Sequence, residues 1–253
     1  HQRSRARHNG EVTGTQPPPT LPAYRATGDV VADKATWRSL VRAARRELVA
    51  GWDERTRSEQ ARRLGEAGLA HLQAHAARLG RPGVAGMTVT AFEPMRTEPP
   101  VDGLTDALLG AGVQVLVPVT LARPDLDWAD LSDPSRTRLG PEAWRDVDLA
   151  FVPGLAVTRE GVRLGQGGGY YDTTLPRVQP LAGGVPVVLV LHDHEVELQG
   201  LMRDAGDAPH LGGAADPRAV GRVSPAPVPA VSRRTDRGPA RGGPPRPPRP
   251  LPG

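Results

Sequence analysis

The sequence predicts an α/β fold: an open, mostly parallel sheet with helices on both faces, in a three-layer, Rossmann-like topology. Two observations carry this prediction. Apolar runs of strand length alternate with longer amphipathic stretches between residues 29 and 200, which is typical of strand–helix–strand units. The runs are rich in Val and Leu and nearly continuous, as expected for strands that are buried on both faces of a sheet.

The chain divides by composition into three zones. Residues 1–28 are polar and contain Gln16-Pro17-Pro18-Pro19-Thr20, so we expect a disordered lead-in. Residues 29–200 carry the periodic patterns and form the predicted domain. Residues 201–253 lose this periodicity and become Arg/Pro/Gly-rich, so we expect a disordered tail that cannot bury enough apolar surface to fold. A polyproline II ligand for an SH3-like partner is the less favoured interpretation of the tail.

The composition excludes several classes of protein. The 253 residues include no Cys, which excludes a disulfide scaffold, a Cys-ligated zinc site and a thiol nucleophile. No apolar run approaches the roughly 18 residues of a membrane span, and no secretory signal pattern is present. We therefore expect a cytoplasmic monomer with no membrane partner.

The basic charge does not by itself indicate a nucleic-acid partner. The net charge is +4, and the Arg residues concentrate at the two ends of the chain, whereas a nucleic-acid footprint is a basic face. A basic RNA-associated protein that uses these ends is the least favoured alternative, because the middle of the chain lacks an aromatic and basic stacking platform. We expect no nucleic-acid partner.

The predicted elements follow in order. A helix over 34–50, with Asp33 as its candidate N-cap, is ended by Gly51, and a second helix spans roughly 55–79. The remaining elements are predicted strands at 87–92, 113–119, 149–152 and 185–191, and a helix at 101–111. Trp128 and Trp144 are predicted core residues.

A glycine-rich stretch follows the predicted strand 149–152. Four glycines lie within the five residues 165–169, where missing Cβ atoms let backbone N–H groups form an anion-binding nest. Arg163 adds a bidentate phosphate donor, and Asp172 adds a hard carboxylate that suits Mg²⁺. A helix that begins near Asp172, with Pro176 in its first turn, would direct its positive end to the same place.

The spacing alone leaves two interpretations of this stretch open. It matches neither the P-loop nor the Rossmann fingerprint, and many glycine-rich loops are flexible surface turns. A phosphate site and a surface turn are about equally supported at this point.

The full string resembles the signature of one family. The string begins with Val152-Pro153-Gly154-Leu155 and continues with Gly161-x-Arg163-Leu164-Gly165-x-Gly167-x-Gly169-Tyr170-Tyr171-Asp172. It is similar to the signature of the 5-formyltetrahydrofolate cyclo-ligases, also called 5,10-methenyltetrahydrofolate synthetases. Lys34-x-x-x-Arg38 resembles the family's N-terminal pair that contacts ATP phosphates. Phe92-Glu-Pro-x-x-x-Glu98-Pro resembles the segment whose glutamate helps to hold the folate. The resemblance covers roughly residues 33–197.

The resemblance implies an enzyme that closes the 5-formyltetrahydrofolate ring with ATP and Mg²⁺. The formyl oxygen would be phosphorylated, and N10 would then attack the activated carbon. Lys34 and Arg163 are the implied catalytic residues, and Asp172 is the implied metal ligand. The implied ATP-binding residues are Lys34, Arg38, Arg163, Leu164, Gly165, Gln166, Gly167, Gly168, Gly169, Tyr170 and Tyr171. The implied folate-binding residues are Phe92, Glu98, Gln166, Gly167, Gly168, Gly169 and Tyr170.

Simpler roles stand beside these. Lys34 and Arg38 could be solvated charges on an exposed helix face. Glu98 could serve the N-terminal region of the next helix, and both tyrosines could be packing residues. A strand end precedes His192-Asp193-His194-Glu195. Because side chains alternate along an extended chain, we expect these four to point to opposite sides, which argues against a metal site.

The sequence departs from the family pattern near its end. After Leu191–Val196 the expected second Mg²⁺-associated aspartate and a terminal strand are missing. A non-catalytic folate- or nucleotide-binding relative with a degraded C-terminal segment is therefore the alternative to an active enzyme.

Overall fold

The computed structural model describes residue 21 and residues 25–122, 125–158, 161–182 and 184–196, together with the backbone of 215–216 and 222–223. The disorder predicted for 1–28 and 201–253 therefore falls almost entirely outside the described residues.

The centre of the fold is a sheet of five strands, with the bounds β1 Thr88–Thr90, β2 Gln114–Thr120, β3 Leu126–Asp130, β4 Leu149–Pro153 and β7 Val187–Val190. The strand order across the sheet is β3-β2-β1-β4-β7. β1 pairs in parallel with β2 and β4, and β4 pairs in parallel with β7. These pairings confirm the predicted open, mostly parallel sheet.

The edge strand β3 runs antiparallel to β2 and was not predicted. Its five residues include two Asp, at 127 and 130, whereas the other strands of the sheet contain no charged residue. Asp127 in this strand is buried, and its Oδ1 accepts hydrogen bonds from Trp128 N and Gly140 N, both at 2.7 Å. A carboxylate that satisfies backbone donors is compatible with a strand, although composition alone argues against it.

Helices cover both faces of the sheet, as predicted. α2 (Glu54–Arg78) and α3 (Asp102–Gly110) share one core with one sheet face, whereas α4 (Tyr170–Val178) and the 3₁₀ helix Pro141–Asp146 pack on the other. Trp128 and Trp144 are fully buried on that second face, with ring centroids 5.0 Å apart, which confirms them as core residues.

Two glycines let α2 and α3 approach each other closely. A Cβ on Gly103 would lie 2.1 Å from Ala61 O, and a Cβ on Gly65 would lie 2.4 Å from Gly103 O. Neither distance is possible for a real side chain, so both positions require glycine. This contact fixes α3, which begins four residues after Glu98.

The first helix, α1 (Val30–Ala50), begins earlier than predicted. Asp29 is its N-cap and accepts hydrogen bonds from Val31 N and Ala32 N, so the prediction of Asp33 as the cap was wrong. Asp33 is instead buried in the first turn and accepts hydrogen bonds from Thr27 N at 3.0 and 3.1 Å. Gly51 ends the helix as predicted.

α1 packs against a short hairpin rather than against the main sheet. The hairpin strands are β5 (Ala156–Val157) and β6 (Arg163–Leu164), which pair antiparallel. Trp37 and Val41 of α1 share an apolar cluster with this hairpin. Since β6 leads directly into the glycine-rich loop, this packing brings one face of α1 to that loop.

The end of the glycine-rich loop differs from the predicted arrangement. α4 begins at Tyr170, two residues before Asp172, and Gly169 is its N-cap with φ +78°. Pro176 therefore lies inside the helix rather than in its first turn, and the helix ends two residues later. A proline there lacks the N–H that would continue the hydrogen-bond ladder, which fits so short a helix.

A last pair of strands lies beyond the predicted domain. β8 (Ala215–Asp216) and β9 (Arg222–Val223) pair antiparallel, so the expectation that no strand follows residue 200 was wrong. Among the helices of the described residues, none combines the length and apolar character needed to cross a membrane.

Candidate active site

The candidate site lies at the carboxyl edge of the parallel sheet. β1 has β2 on one side and β4 on the other, so the strand order reverses at β1, and such switch points form ligand crevices in open α/β sheets. The segments that leave β1, β4 and β7 at this edge carry Glu98, Gly154 and Glu195, respectively.

The glycine-rich loop depends on backbone angles that favour glycine. Gly167 has φ +93° and Gly169 has φ +78°, a region that other residues rarely adopt. A Cβ on Gly165 would lie 3.3 Å from both terminal nitrogens of Arg163, so this position also leaves room for the guanidinium. Glycine at these three positions therefore permits the shape of the loop.

α1 brings two arginines to this loop. Arg38 Nε donates to Gly165 O at 3.0 Å. Arg42, one turn further along α1, donates through Nη2 to Gln166 O at 2.6 Å. Arg38 was predicted at the site, whereas Arg42 was missed because no quoted motif contains it. Its position four residues after Arg38, on the same helix face, is the signal that could have found it.

Gln166 joins the loop to the segment that follows β1. Its Nε2 donates to Glu98 Oε1 at 3.0 Å, and Glu98 Oε2 accepts from Met95 N at 2.9 Å. The Glu98 residue is only 3% exposed. The structure thus brings the predicted folate-binding glutamate into direct contact with the predicted phosphate-binding loop.

Arg163 and Asp172 contact each other directly. Arg163 Nη1 donates to Pro153 O at 3.1 Å, and its Nη2 forms an ion pair with Asp172 Oδ1. The Asp172 side chain is 55% exposed, whereas that of Arg163 is 8% exposed. The Arg163 guanidinium carbon also lies 5.7 Å from the centroid of the Tyr171 ring, within the range of a cation–π contact.

The two tyrosines are half-buried in the core that lies under α4. The hydroxyl of Tyr171 is buried and has no hydrogen-bond partner among the described residues. Burial raises the pKa of Tyr171 above its usual range, against the opposing effect of Arg163. The packing role that the sequence allowed for both tyrosines is confirmed, and a ligand contact by Tyr170 stays a prediction.

A buried ion pair below the loop was missed by the sequence analysis. Arg45 is fully buried and donates to Glu195 Oε1 at 2.5 Å, to Glu195 Oε2 at 2.8 Å and to Gly154 O at 2.6 Å. Its Nη1 makes no hydrogen bond among the described residues and lies 3.8 Å from Glu98 Oε1. Arg45 therefore connects the segments that follow β1, β4 and β7.

The acidic partner of Arg45 lies in the His-Asp-His-Glu segment. Residues Asp193–Glu195 form a 3₁₀ turn rather than an extended strand end, so the expected alternation was wrong. His192 and His194 lie on the same side, with ring centroids 5.9 Å apart and planes at 14°. Burial raises the pKa of Glu195, while hydrogen bonds from Arg45 oppose this shift.

His192 ties this turn to the segment before Glu98. Its Nε2 lies 3.0 Å from Thr97 O, which can only accept, and Trp52 packs edge-on at a centroid distance of 5.6 Å. Burial lowers the pKa of His192 to about 4. The ring is thus held neutral and donates to the backbone beside Glu98.

The remaining predicted site residues take different positions. Phe92 is 4% exposed and packs in the core with α2 and α3, and Leu164 is 1% exposed in the cluster with α1. Lys34 is half-buried on α1, one turn before Arg38. Direct contact of these three side chains with a ligand stays a prediction.

The donor set around Asp172 bears on the predicted metal. In the described part of the chain, no three His, Asp or Glu side chains cluster as a metal site would require. A single exposed carboxylate nevertheless fits Mg²⁺, which retains waters and commonly takes one or two protein carboxylates plus phosphate oxygens.

Known proteins resemble this chain in sequence. A profile of the 5-formyltetrahydrofolate cyclo-ligase family matches residues 31–207. A 5-formyltetrahydrofolate cyclo-ligase of Mycolicibacterium smegmatis is 36% identical over 132 aligned residues, which cover 45% of this chain and 66% of the relative. A mitochondrial 5-formyltetrahydrofolate cyclo-ligase of Arabidopsis thaliana is 56% identical over 41 residues, which cover 16% of this chain and 15% of the relative. The chain thus spans just under two thirds of the bacterial relative and a small part of the plant one.

Solved structures resemble the fold. A 5,10-methenyltetrahydrofolate synthetase of Mycoplasma pneumoniae matches with a TM-score of 0.53 and 19% identity, over 70% of this chain and 94% of that one. The synthetase of Aquifex aeolicus matches with a TM-score of 0.52 and 23% identity, over 80% and 98%. Since the family profile spans most of the folded part, the chain belongs to the 5-formyltetrahydrofolate cyclo-ligase family.

Proposed function

We propose that this chain converts 5-formyltetrahydrofolate and ATP into 5,10-methenyltetrahydrofolate, ADP and phosphate in a Mg²⁺-dependent reaction. The observation that carries the proposal is the hydrogen bond between Gln166 of the glycine-rich loop and Glu98. It joins a candidate phosphate site to a candidate folate site at one edge of the sheet. Membership of the family supports the same activity.

The chemistry requires activation because a formamide oxygen is a poor leaving group. In the first step the formyl oxygen bonds to the γ-phosphorus of ATP, the bond from that phosphorus to the β,γ-bridging oxygen breaks, and ADP leaves with the electron pair. N10 then bonds to the formyl carbon and loses its proton. Finally the bond from that carbon to the phosphorylated oxygen breaks, and phosphate leaves.

Phosphoryl transfer needs positive charge and fixed donors around the phosphate oxygens rather than a protein nucleophile. Arg163 and Arg38 supply guanidinium groups beside a loop of glycines, and Lys34 lies one turn before Arg38 on α1. We propose that these cations and the loop N–H groups bind the triphosphate. Arg163 would exchange its contact with Asp172 for the transferring phosphoryl group.

The residue that fits the metal is Asp172, whose carboxylate is 55% exposed. Asp172 would hold Mg²⁺, and the ion would supply positive charge that offsets the charge of the phosphate oxygens.

Glu98 is proposed to orient the folate. It is 3% exposed, and each carboxylate oxygen accepts one hydrogen bond from within the protein. Since a carboxylate oxygen can accept a second bond, Glu98 can still bind an N–H group of the reduced pterin. A glutamate held in this way could position N10 and the formyl group near the γ-phosphate.

A direct assay tests the proposal. The chain is incubated with 5-formyltetrahydrofolate and MgATP, and the near-ultraviolet absorbance of the methenyl product is followed, with controls that omit ATP or contain excess EDTA. We expect product only in the complete mixture. Binding of both ligands without any product would contradict the proposal and favour the non-catalytic relative.

A further inference from the structure

Gln166 is the only residue between Gly165 and Gly169 that carries a side chain. Its Nε2 donates to Glu98 Oε1 at 3.0 Å, while its Oε1 accepts from Arg42 Nη2 at 3.2 Å and from Arg42 Nε at 3.3 Å. The reversed amide would place its NH₂ group against a guanidinium and its oxygen against a carboxylate. The two neighbours therefore fix one orientation of the amide.

The loop backbone at this point is held from the same side. Arg42 Nη2 also donates to Gln166 O at 2.6 Å, and Arg38 Nε donates to Gly165 O at 3.0 Å. A displacement of the loop along α1 would break these bonds and would also draw the Gln166 amide away from Glu98. Loop position and Gln166 orientation are thus linked by direct hydrogen bonds.

The orientation of Glu98 depends on the same contact. Its Oε2 is held by Met95 N at 2.9 Å, and its Oε1 is held by Gln166. Because Glu98 is nearly fully buried, loss of the Gln166 bond would leave its Oε1 without a hydrogen bond, with Arg45 Nη1 at 3.8 Å as its remaining charged neighbour. The loop therefore influences how Glu98 faces its ligand.

We propose that Gln166 couples the two substrate sites, so that bound nucleotide raises the affinity for 5-formyltetrahydrofolate and bound folate raises the affinity for nucleotide. This inference rests on the proposed function. The first ligand restricts the motion of the loop and of Glu98, which Gln166 joins, and the second ligand then binds a site whose motion is already restricted. The coupling is reciprocal by thermodynamic necessity.

The coupling is measured with a cycle of four binding constants. The dissociation constant of 5-formyltetrahydrofolate is determined calorimetrically with and without a saturating Mg²⁺ complex of a non-hydrolysable ATP analogue, and that of the analogue with and without the folate. For the unmodified chain we expect each ligand to tighten the other by about 5-fold or more, a usual size for coupled sites. Both arms of the cycle must give the same factor.

The Gln166→Met variant removes both amide hydrogen bonds at nearly constant side-chain length. We expect its coupling factor to fall to about 1, while each single affinity weakens by about 10-fold at most, the usual value of a lost hydrogen bond. The Arg46→Met variant is the matched control, because Arg46 is exposed on the same helix, four residues after Arg42. We expect it to keep the full coupling factor.

The outcomes separate this inference from the proposed function. If the unmodified chain binds both ligands without mutual tightening, or if Gln166→Met keeps the full coupling factor with an unchanged melting temperature, the inference is wrong while the proposed activity can stand. A chain that binds neither ligand contradicts both. A lower factor in Gln166→Met with full coupling in Arg46→Met supports it.

Discussion

Two arginine–carboxylate pairs lie at the same edge of the sheet and differ sharply in exposure. In the Arg45–Glu195 pair both side chains are 0% exposed, whereas in the Arg163–Asp172 pair the arginine is 8% and the aspartate 55% exposed. The first carboxylate receives two hydrogen bonds from its arginine. The second can be reached from solvent.

The difference in exposure indicates which pair stabilises the fold and which pair can take part in the reaction. A buried charge that loses its partner is costly because no water replaces that partner. A pair whose carboxylate is exposed to water loses less when that carboxylate is removed, and it can exchange one partner for a ligand. We therefore expect changes in the buried pair to reduce stability first, and changes in the exposed pair to reduce activity first.

The largest expected effect is the loss of turnover when Arg163 is replaced. Replacing it with Met removes the guanidinium that we assign to the transferring phosphoryl group, so turnover should fall by about 1,000-fold to 100,000-fold, as for other arginines in that role. The methenyl absorbance assay measures this loss. A variant that keeps a tenth of the activity would remove Arg163 from the catalytic assignment.

The buried pair gives the largest expected effect on stability. Glu195→Ala leaves Arg45 charged and buried, so the free energy of unfolding should fall by about 3–5 kcal/mol. Urea unfolding followed by circular dichroism measures it. The double variant Arg45→Met, Glu195→Leu is the control, because removing both charges should recover most of the loss. Equal destabilisation in the single and double variants would show that packing, not charge, is the cause.

In contrast to the change at Glu195, a change at Asp172 should reduce activity much more than stability. Asp172→Ala should reduce turnover by about 100-fold, equivalent to a few kcal/mol of lost metal-assisted charge stabilisation. The free energy of unfolding should change by less than about 1 kcal/mol, because the carboxylate is more than half exposed. Raising the Mg²⁺ concentration should restore part of the activity. Unchanged activity would remove Asp172 from the site.

The histidine beside Glu98 should make stability sensitive to acid. Burial lowers the pKa of His192 to about 4 from its ordinary 6.5, so the unfolded chain binds this proton more readily than the folded one. The contribution of His192 to the free energy of unfolding is fully present above about pH 6.5. It is lost as the pH drops toward 4, which lowers the free energy of unfolding by up to about 3 kcal/mol. Burial lowers the pKa of His194 as well and acts in the same direction.

Unfolding of the unmodified chain and of His192→Gln across this pH range measures the effect. The variant lacks the titrating ring, so its stability should fall less steeply between pH 6.5 and 4. Burial raises the pKa of Glu195 and acts in the opposite direction, and because Glu195 is present in both proteins the difference isolates His192. Identical slopes would contradict the assignment.

Parts of the fold and site follow from local sequence. The parallel strands were predictable because a strand buried on both faces must be continuously apolar, and the glycine-rich loop was visible because its backbone angles require glycine. The edge strand β3 was not, because its Asp127 satisfies backbone donors only after Gly140 has folded against it.

The buried pair could not be derived from local pattern. Arg45 contacts Gly154, 109 residues away, and Glu195, 150 residues away, and an arginine on a helix is ordinarily solvated. Its position beside the apolar stripe of Trp37 and Val41 was the available signal. The prediction for the His-Asp-His-Glu segment failed because the extended backbone continues only to His192 and a 3₁₀ turn begins at Asp193.

The central claim is that the phosphoryl group of ATP passes to the formyl oxygen at this site. The most direct measurement uses 5-formyltetrahydrofolate with ¹⁸O in the formyl group, MgATP and the unmodified chain, followed by mass analysis of the released phosphate. We predict that each phosphate formed with methenyl product carries one ¹⁸O atom. Unlabelled phosphate, with the label released as water, would contradict the account.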